Sequence, residues 1–264
     1  LQSLPFLLGG VAFMAGASYL CQSIIHWLCR FNPINMGNKE INFKHSGATG
    51  DIIFALPFVK YMGGGNMYLS NYHPQRAESI AKLLRIQDYI GEVYVGITPP
   101  EDAVNLDLFR QHAGYHSNLI EAYFTAFRKP FDKSFKEPWI TLPESDSLIE
   151  EPYTIINRTT NYDDPNFDWK AEVNYLMTLS PNCYFLGYQH EYDMFQDKFK
   201  TWAKFHDCDF LTAAYLIKNS AMFTGGYSCL ATIAQGLGIN FRLVQAPNHT
   251  CSTLFVEREK VVNI

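Results

Sequence analysis

The chain has 264 residues, 47% of them hydrophobic and 18% charged, which supports a substantial core and excludes a disordered polypeptide. Its net charge of −5 excludes a general nucleic-acid binder, which presents a basic face. The six cysteines (Cys21, Cys29, Cys183, Cys208, Cys229 and Cys251) form no CxxC pair and no Cys/His cluster with zinc spacing, so they read as free thiols in a reducing compartment. Residues 1–29 contain no Asp, Glu, Lys or Arg, and the run from Pro5 to Cys29, about 25 residues, is long enough to span a bilayer. Arg30 follows, and the positive-inside rule would leave the remainder in the cytoplasm. Gly9, Gly10, Gly16, Gln22 and His26 suit an anchor poorly, and the lack of a basic leader suits a cleaved signal peptide poorly. Met36-Gly37-Asn38-Lys39 reads as a natural start, with 1–35 an extension outside the fold. Anchor, extension and packed helix all stay open for residues 1–35.

From residue 41 strands and helices alternate. Ile41–Lys44 reads as a strand, Asp51–Met62 as a helix ended by Gly63-Gly64-Gly65, and Asn66–Ser70 as a second strand. Pro74–Leu84 is a helix with Ala77, Ile80, Ala81 and Leu84 on one face; Val93–Val95 and Asn105–Asp107 are strand-like; His116–Phe127 is a helix. The proline-rich stretch from Pro130 to Pro152 reads as a linker with a short strand at Trp139–Leu142. The alternation then restarts: strand Tyr153–Asn157, helix Asp168–Leu179, strand Cys183–Gly187, helix His190–Phe199, helix Asp209–Asn219, strand Ala221–Thr224, helix Cys229–Leu237 and strand Phe241–Val244. This predicts an α/β protein with two Rossmann-like domains facing a cleft, an N-terminal one over 36–150 and a C-terminal one over 151–264.

Each half has a glycine-containing turn feeding a helix. In the first, His45-Ser46-Gly47-Ala48-Thr49-Gly50-Asp51 leads into Ile52-Ile53-Phe54-Ala55-Leu56-Pro57; in the second, Gly225-Gly226-Tyr227-Ser228 leads into Cys229. Such turns let backbone approach a ligand, and the helix behind points free N–H groups at it. Neither is the GxGxxG fingerprint or the GxxxxGK[ST] P-loop.

These segments resemble glycosyltransferase family nine, the ADP-heptose lipopolysaccharide heptosyltransferases and their relatives. The stretch His45–Pro57 resembles the family's opening loop of small residues, Gly-Asp, two apolar residues and Leu-Pro. Phe223–Gly238 resembles its donor-binding turn and small-residue helix, and Asn157-Arg158-Thr159-Thr160 its basic loop. Tyr227, Cys229 and Thr232 stand where the family has Asp, Gly and His, while Ser228 is kept. The resemblance implies GT-B architecture. It also implies inverting, metal-independent transfer from a nucleotide-sugar donor to a glycan or lipid-linked acceptor, with no cofactor and a cytoplasmic site of action, at a membrane face if residues 1–35 bind one. A non-catalytic nucleotide- or sugar-binding module and a nucleotide-sugar hydrolase are the alternatives.

Inverting transfer needs a base for the acceptor hydroxyl and positive charge or N–H dipoles for the leaving diphosphate. The resemblance puts the base at Asp51, which could otherwise serve only as a helix cap. Ser228, Cys229 and Leu230 would offer N–H groups to the diphosphate, Gly225 and Gly226 would admit it, and Arg158 would pair with it or else form a surface ion pair. An ordinary capped turn is the alternative for 225–230. His45 and Gly50 on the first turn, and Tyr188 and Gln189 after the strand 183–187, are expected acceptor or nucleoside contacts; His45 could also be structural and 188–191 an exposed loop entering a helix. Asp163-Asp164 precedes a proline and Asp207-Cys208-Asp209 opens a helix, so neither is expected to hold a metal.

Overall fold

A computed structural model describes residues 40–70, 73–113, 119–132, 137–144, 148–159, 164–244 and 261–263, the last three by their backbone. The segment 1–35, with its anchor, extension and packed-helix readings, lies outside the described residues, as does Asp163. Among the described residues no helix is long and apolar enough to cross a membrane.

The first sheet is built from β1 (Asn42–His45), β2 (Gly65–Leu69), β3 (Ile90–Val95) and β4 (Val104–Asn105), ordered β3-β2-β1-β4 and parallel throughout. Its helices are α1 (Thr49–Tyr61), α2 (Pro74–Arg85) and α3 (Leu119–Ala126), with a 3-10 helix at Leu106–Gln111. The second sheet holds β5 (Tyr153–Asn157), β6 (Asn182–Leu186), β7 (Lys204–His206), β8 (Phe223–Gly225), β9 (Phe241–Leu243) and β10 (Val261–Asn263). It is parallel, in the order β10-β9-β8-β5-β6-β7. Helices α4 (Trp169–Leu179), α5 (Gln189–Phe199), α6 (Phe210–Asn219) and α7 (Cys229–Leu237) accompany it.

Local chemistry explains the elements. Helix α2 starts at Pro74, whose missing N–H costs nothing at a first helical position, and buries Ala77, Ile80, Ala81 and Leu84 on one face. Helix α1 is different: every residue from Ile52 to Val59 is buried, so it is apolar all round and sits inside the molecule. It ends where Gly63 and Gly64 take φ of 95° and 82°, values that side chains resist. One large core joins α1 and the first sheet (Phe43, Ile53, Leu56, Met67) to α6 and α7 (Leu216, Ile217, Ile233). A smaller core, with Trp169, Leu176, Phe185 and Phe195, lies between the second sheet and helices α4 and α5. Residues 41–264 thus make one compact unit.

The segment expected as a strand at Trp139–Leu142 is not one. The N–H groups of Trp139 and Ile140 donate to the Gly236 carbonyl near the end of α7, at 2.9 and 3.0 Å, while Tyr89 Oη donates to the Trp139 carbonyl. A buried extended segment needs its backbone satisfied, and here a helix end does so instead of a sheet. Strands β7 and β10 and the 3-10 helix add to the expected elements.

In both sheets the strand order reverses beside the first strand, β1 in one and β5 in the other. In parallel sheets the crevice outside the carboxyl ends at such a point is where ligands bind. Those ends carry the turn 46–48 and residues 157–159.

Candidate functional site

The turn after β1 delivers Asp51 as the third residue of α1. Ala48 is the N-cap, in extended conformation and without a side-chain cap, and the Asp51 carboxylate accepts the Ala48 N–H. Asp51 therefore caps the helix from inside it, and about a quarter of its side chain remains exposed. Arg110 Nη2 donates to Asp51 Oδ2 at 3.1 Å. Burial nevertheless dominates and raises the carboxyl pKa, with Arg110, Ala48 and the reinforcing charge of Asp107 as smaller influences.

Behind the turn lies a closed set of hydrogen bonds. Gly47 N–H donates to His45 Nδ1 at 2.8 Å, which leaves the proton on Nε2, and that atom stands 2.8 Å from Tyr123 Oη. Tyr123 Oη donates in turn to the Asp51 carbonyl at 2.8 Å. Burial lowers the His45 pKa to about 4, against the pull of Asp107 and with help from Arg110, so the imidazole is neutral. Its place is structural: it positions the turn.

The second turn brings α7. Ser228 is its N-cap, accepting the Ala231 N–H at 3.2 Å, and Thr232 Oγ1 donates to the Ser228 carbonyl at 3.0 Å. The N-termini of α1 and α7 meet: a β-carbon on Gly50 would lie 3.7 Å from Thr232 Oγ1 and 4.0 Å from Cys229 N. Burial, then the charge of Asp51, pushes the Cys229 thiol well up, so Cys229 is a neutral thiol whose useful group is its N–H.

A cavity of about 900 Å³ opens on both helix ends. Thr49, Gly50 and Asp51 line it from α1; Ser228, Cys229 and Leu230 from the α7 turn; Asn157 and Thr159 from the end of β5; Gly187 and Tyr188 from the turn after β6; Glu191 from the first turn of α5; Arg76 from α2; and Asp207, Cys208 and Asp209 from the entry to α6. The Arg76 guanidinium lies over the Tyr188 ring, 4.7 Å from its centre. Burial alone would raise the Asp209 carboxyl, but Lys82, at 2.6 Å, and Thr212 outweigh it and hold it below the usual range. Two buried oxygens on the lining, Asn157 Oδ1 and Thr159 Oγ1, have no protein partner. The Asn157 amide is oriented by donation to the Leu186 carbonyl at 2.7 Å, so Oδ1 is left to accept from a ligand.

Of the residues expected from sequence, Gly50, Asp51, Tyr188, Ser228, Cys229 and Leu230 come together on this cavity. Five do not line it. His45 is sealed behind its turn. Arg158, the first residue beyond β5, is buried with its guanidinium 5.4 Å from the centre of the Phe199 ring, while Asn157 and Thr159 on either side of it line the cavity. Gly225 ends β8 in register with Asn157 and Leu243, and the Gly226 N–H donates to the Asn157 carbonyl. Gln189 donates to Asp193 one helical turn on. Among the described residues the arginine on the cavity is Arg76 instead; the loop 157–160 reaches it through Asn157 and Thr159, and Arg110, Asp107 and Tyr123 carry no signal in the sequence. Among the described residues no three His, Cys, Asp or Glu side chains converge as metal ligands.

The fold is that of family 9 glycosyltransferases. No family model matches the sequence, and no curated protein matches it. Solved structures do. The glycosyl transferase family 9 protein of Veillonella parvula aligns with TM-score 0.58 at 10% identity, over 86% of this chain and 85% of that one. The E. coli heptosyltransferase WaaC, with ADP-2-deoxy-2-fluoro heptose, aligns with TM-score 0.52 at 9% identity, over 85% of this chain and 92% of that one. TibC, an iron-containing dodecameric glycosyltransferase from enterotoxigenic E. coli, aligns with TM-score 0.61 at 14% identity, over 85% of this chain and 62% of its own.

Proposed function

We propose that the protein transfers a sugar from a nucleotide-sugar donor to a glycan or lipid-linked acceptor, by inversion and without a metal ion, in the cytoplasm, and at the cytoplasmic face of a membrane if residues 1–35 bind one. Two Rossmann-like halves in GT-B arrangement would hold donor and acceptor in line. The observation that carries this reading is the juxtaposition of Asp51 with the N-terminus of α7 on one cavity. It sets a carboxylate that could take a proton and a set of helix N–H groups that could carry a leaving diphosphate on the walls of the same cavity.

In this reaction Asp51 takes the proton of the acceptor hydroxyl. The freed oxygen attacks the anomeric carbon of the donor, the bond from that carbon to the phosphate oxygen breaks, and its electron pair leaves with the nucleoside diphosphate. The N–H groups of Cys229 and Leu230, the Ser228 hydroxyl and the α7 dipole take up that charge. Arg76 replaces Arg158 as the cation facing the diphosphate. Asn157 Oδ1 and Thr159 Oγ1 suit hydroxyls of the ligand. The raised Asp51 pKa makes it a stronger base than an exposed carboxylate, as proton abstraction requires.

Incubation with a panel of nucleotide sugars and glycan acceptors, read by release of nucleoside diphosphate, tests the reading. Asp51→Asn should retain donor binding and lose transfer; full activity in that variant refutes the base assignment. A second reading, a binding module on the same fold, is favoured by the acidic lining of Asp51, Glu191 and Asp207, and by Tyr227, Cys229 and Thr232 at the departing positions. Donor binding with no nucleotide release under any acceptor would establish it. Free sugar released without an acceptor would instead establish hydrolysis.

A further inference from the structure

Arg110 serves two carboxylates. Its Nη2 donates to Asp51 Oδ2 at 3.1 Å and its Nη1 to Asp107 Oδ1 at 3.3 Å. Asp107 is itself fixed: it accepts the Ser46 N–H at 3.1 Å and the Ser46 hydroxyl at 2.7 Å, and its own N–H donates to the Asn105 side chain at 3.2 Å. The guanidinium lies 5.0 Å from the centre of the Phe109 ring and passes over Gly47, where a β-carbon would overlap Nη2 and stand 2.5 Å from His45 Cε1. The turn is thus notched to let one arginine reach both acids.

We propose that Arg110, anchored by Asp107, is a positioning residue that holds the Asp51 carboxylate in place and, by dividing its charge between two acids, sets how tightly Asp51 holds a proton. This rests on the reading of Asp51 as the base. An arginine bonded to Asp51 alone would stabilise the carboxylate so well that it became a poor proton acceptor; no arginine at all would let burial raise the carboxyl pKa further. Sharing with Asp107 lies between. Once Asp51 has taken the acceptor proton, Asp107 still balances the guanidinium, so no unpaired charge remains.

The other titratable groups around Asp51 are the neutral His45 of β1, Tyr123 of α3 bonded to its carbonyl, and the Cys229 thiol of α7; Arg76 of α2 shares its cavity. Arg110 is the cation hydrogen-bonded to its carboxylate.

The test is a carboxyl carbon-13 NMR titration of the full chain without substrate, with the Asp51 signal assigned by its loss in Asp51→Asn. Arg110→Gln should move the Asp51 midpoint up, Asp107→Asn should move it down, and Arg110→Lys should restore part of the first change. Circular dichroism melts verify folding; if Arg110→Gln does not fold, Asp107→Asn and Arg110→Lys decide. Midpoints that stay put, or that move the same way in both neutralising variants, overturn the proposal. The base reading fails separately: absence of transfer in the wild type beside opposite midpoint shifts leaves the clamp standing.

Discussion

Gly50 and Cys229 meet backbone to backbone: a β-carbon on Gly50 would stand 3.8 Å from the Cys229 Cα, an ordinary van der Waals contact. A methyl group fits there in ordinary contact, and Gly50 is in α1 at a negative, helical φ. Gly50→Ala should therefore fold and gain about 0.5 kcal/mol through the lower entropy of its unfolded chain. Gly50→Leu should wedge α1 from α7 and cost about 1–3 kcal/mol. Urea denaturation of the two variants checks both signs, and calorimetry with nucleoside diphosphates should show weakened binding for Gly50→Leu alone.

Asp51 carries a stability cost that follows from its burial. Its folded-state pKa is above the ordinary carboxylate value, so between that value and the raised one the folded protein holds a proton that the unfolded chain has released. Stability is lost as pH rises through this window. Asp51→Asn has no such dependence, and its amide oxygen still accepts from Arg110. Relative to wild type it should gain stability as pH rises above the ordinary carboxylate value, read in parallel thermal melts. A gap that is constant with pH would mean that Asp51 titrates normally.

His45 has the opposite dependence. With a folded pKa near 4 and an unfolded value near 6.5, the unfolded chain binds the extra proton as pH falls through this range, and the folded state is progressively disfavoured. The slope reaches about 1.4 kcal/mol per pH unit, for a total of about 3 kcal/mol. His45→Gln should cost about 1–2 kcal/mol at pH 7 through its lost bond to Tyr123. That deficit should shrink or reverse by pH 4.5, as measured by urea midpoints across the range.

The parts of the site that were legible in the sequence are those built from neighbours. The small-residue turn before Asp51 and the Ser228 cap before α7 carry their signals within a few residues. Arg158 shows the limit of such signals: it sits in a promising loop, but Asn157 and Thr159 line the cavity while its guanidinium packs against Phe199. Arg76 had a usable signal, since it is the third residue of the helix following β2, the same station that Asp51 holds after β1. Arg110, Asp107 and Tyr123 had none. Their contacts with the first turn join residues 59 to 78 positions apart, and only the packed fold brings them together. The three-residue β7 and β10 are too short to carry an apolar run, but most of the alternation of strands and helices is legible because parallel sheets bury β-rich apolar runs between amphipathic helices. Residues 139–142 were misread for the same reason: apolar alternation there reflects burial against α7, with the backbone satisfied by Gly236.

That strap yields the reverse of the Gly50 result. A β-carbon on Gly236 would lie 2.6 Å from Ile140 Cδ1 and 2.9 Å from Trp139 Nε1, and both side chains are fully buried with nowhere to move. Gly236→Ala should therefore destabilise by about 1–3 kcal/mol despite alanine's better helix propensity, because overpacking outweighs it. Ile140→Val removes the closest atom. Alone it should cost about 1 kcal/mol, and in the Gly236→Ala background it should cost less or restore stability, giving a coupling that a double-mutant cycle in urea reads directly. Additive losses would mean that the strap yields to the methyl group and does not pin the end of α7.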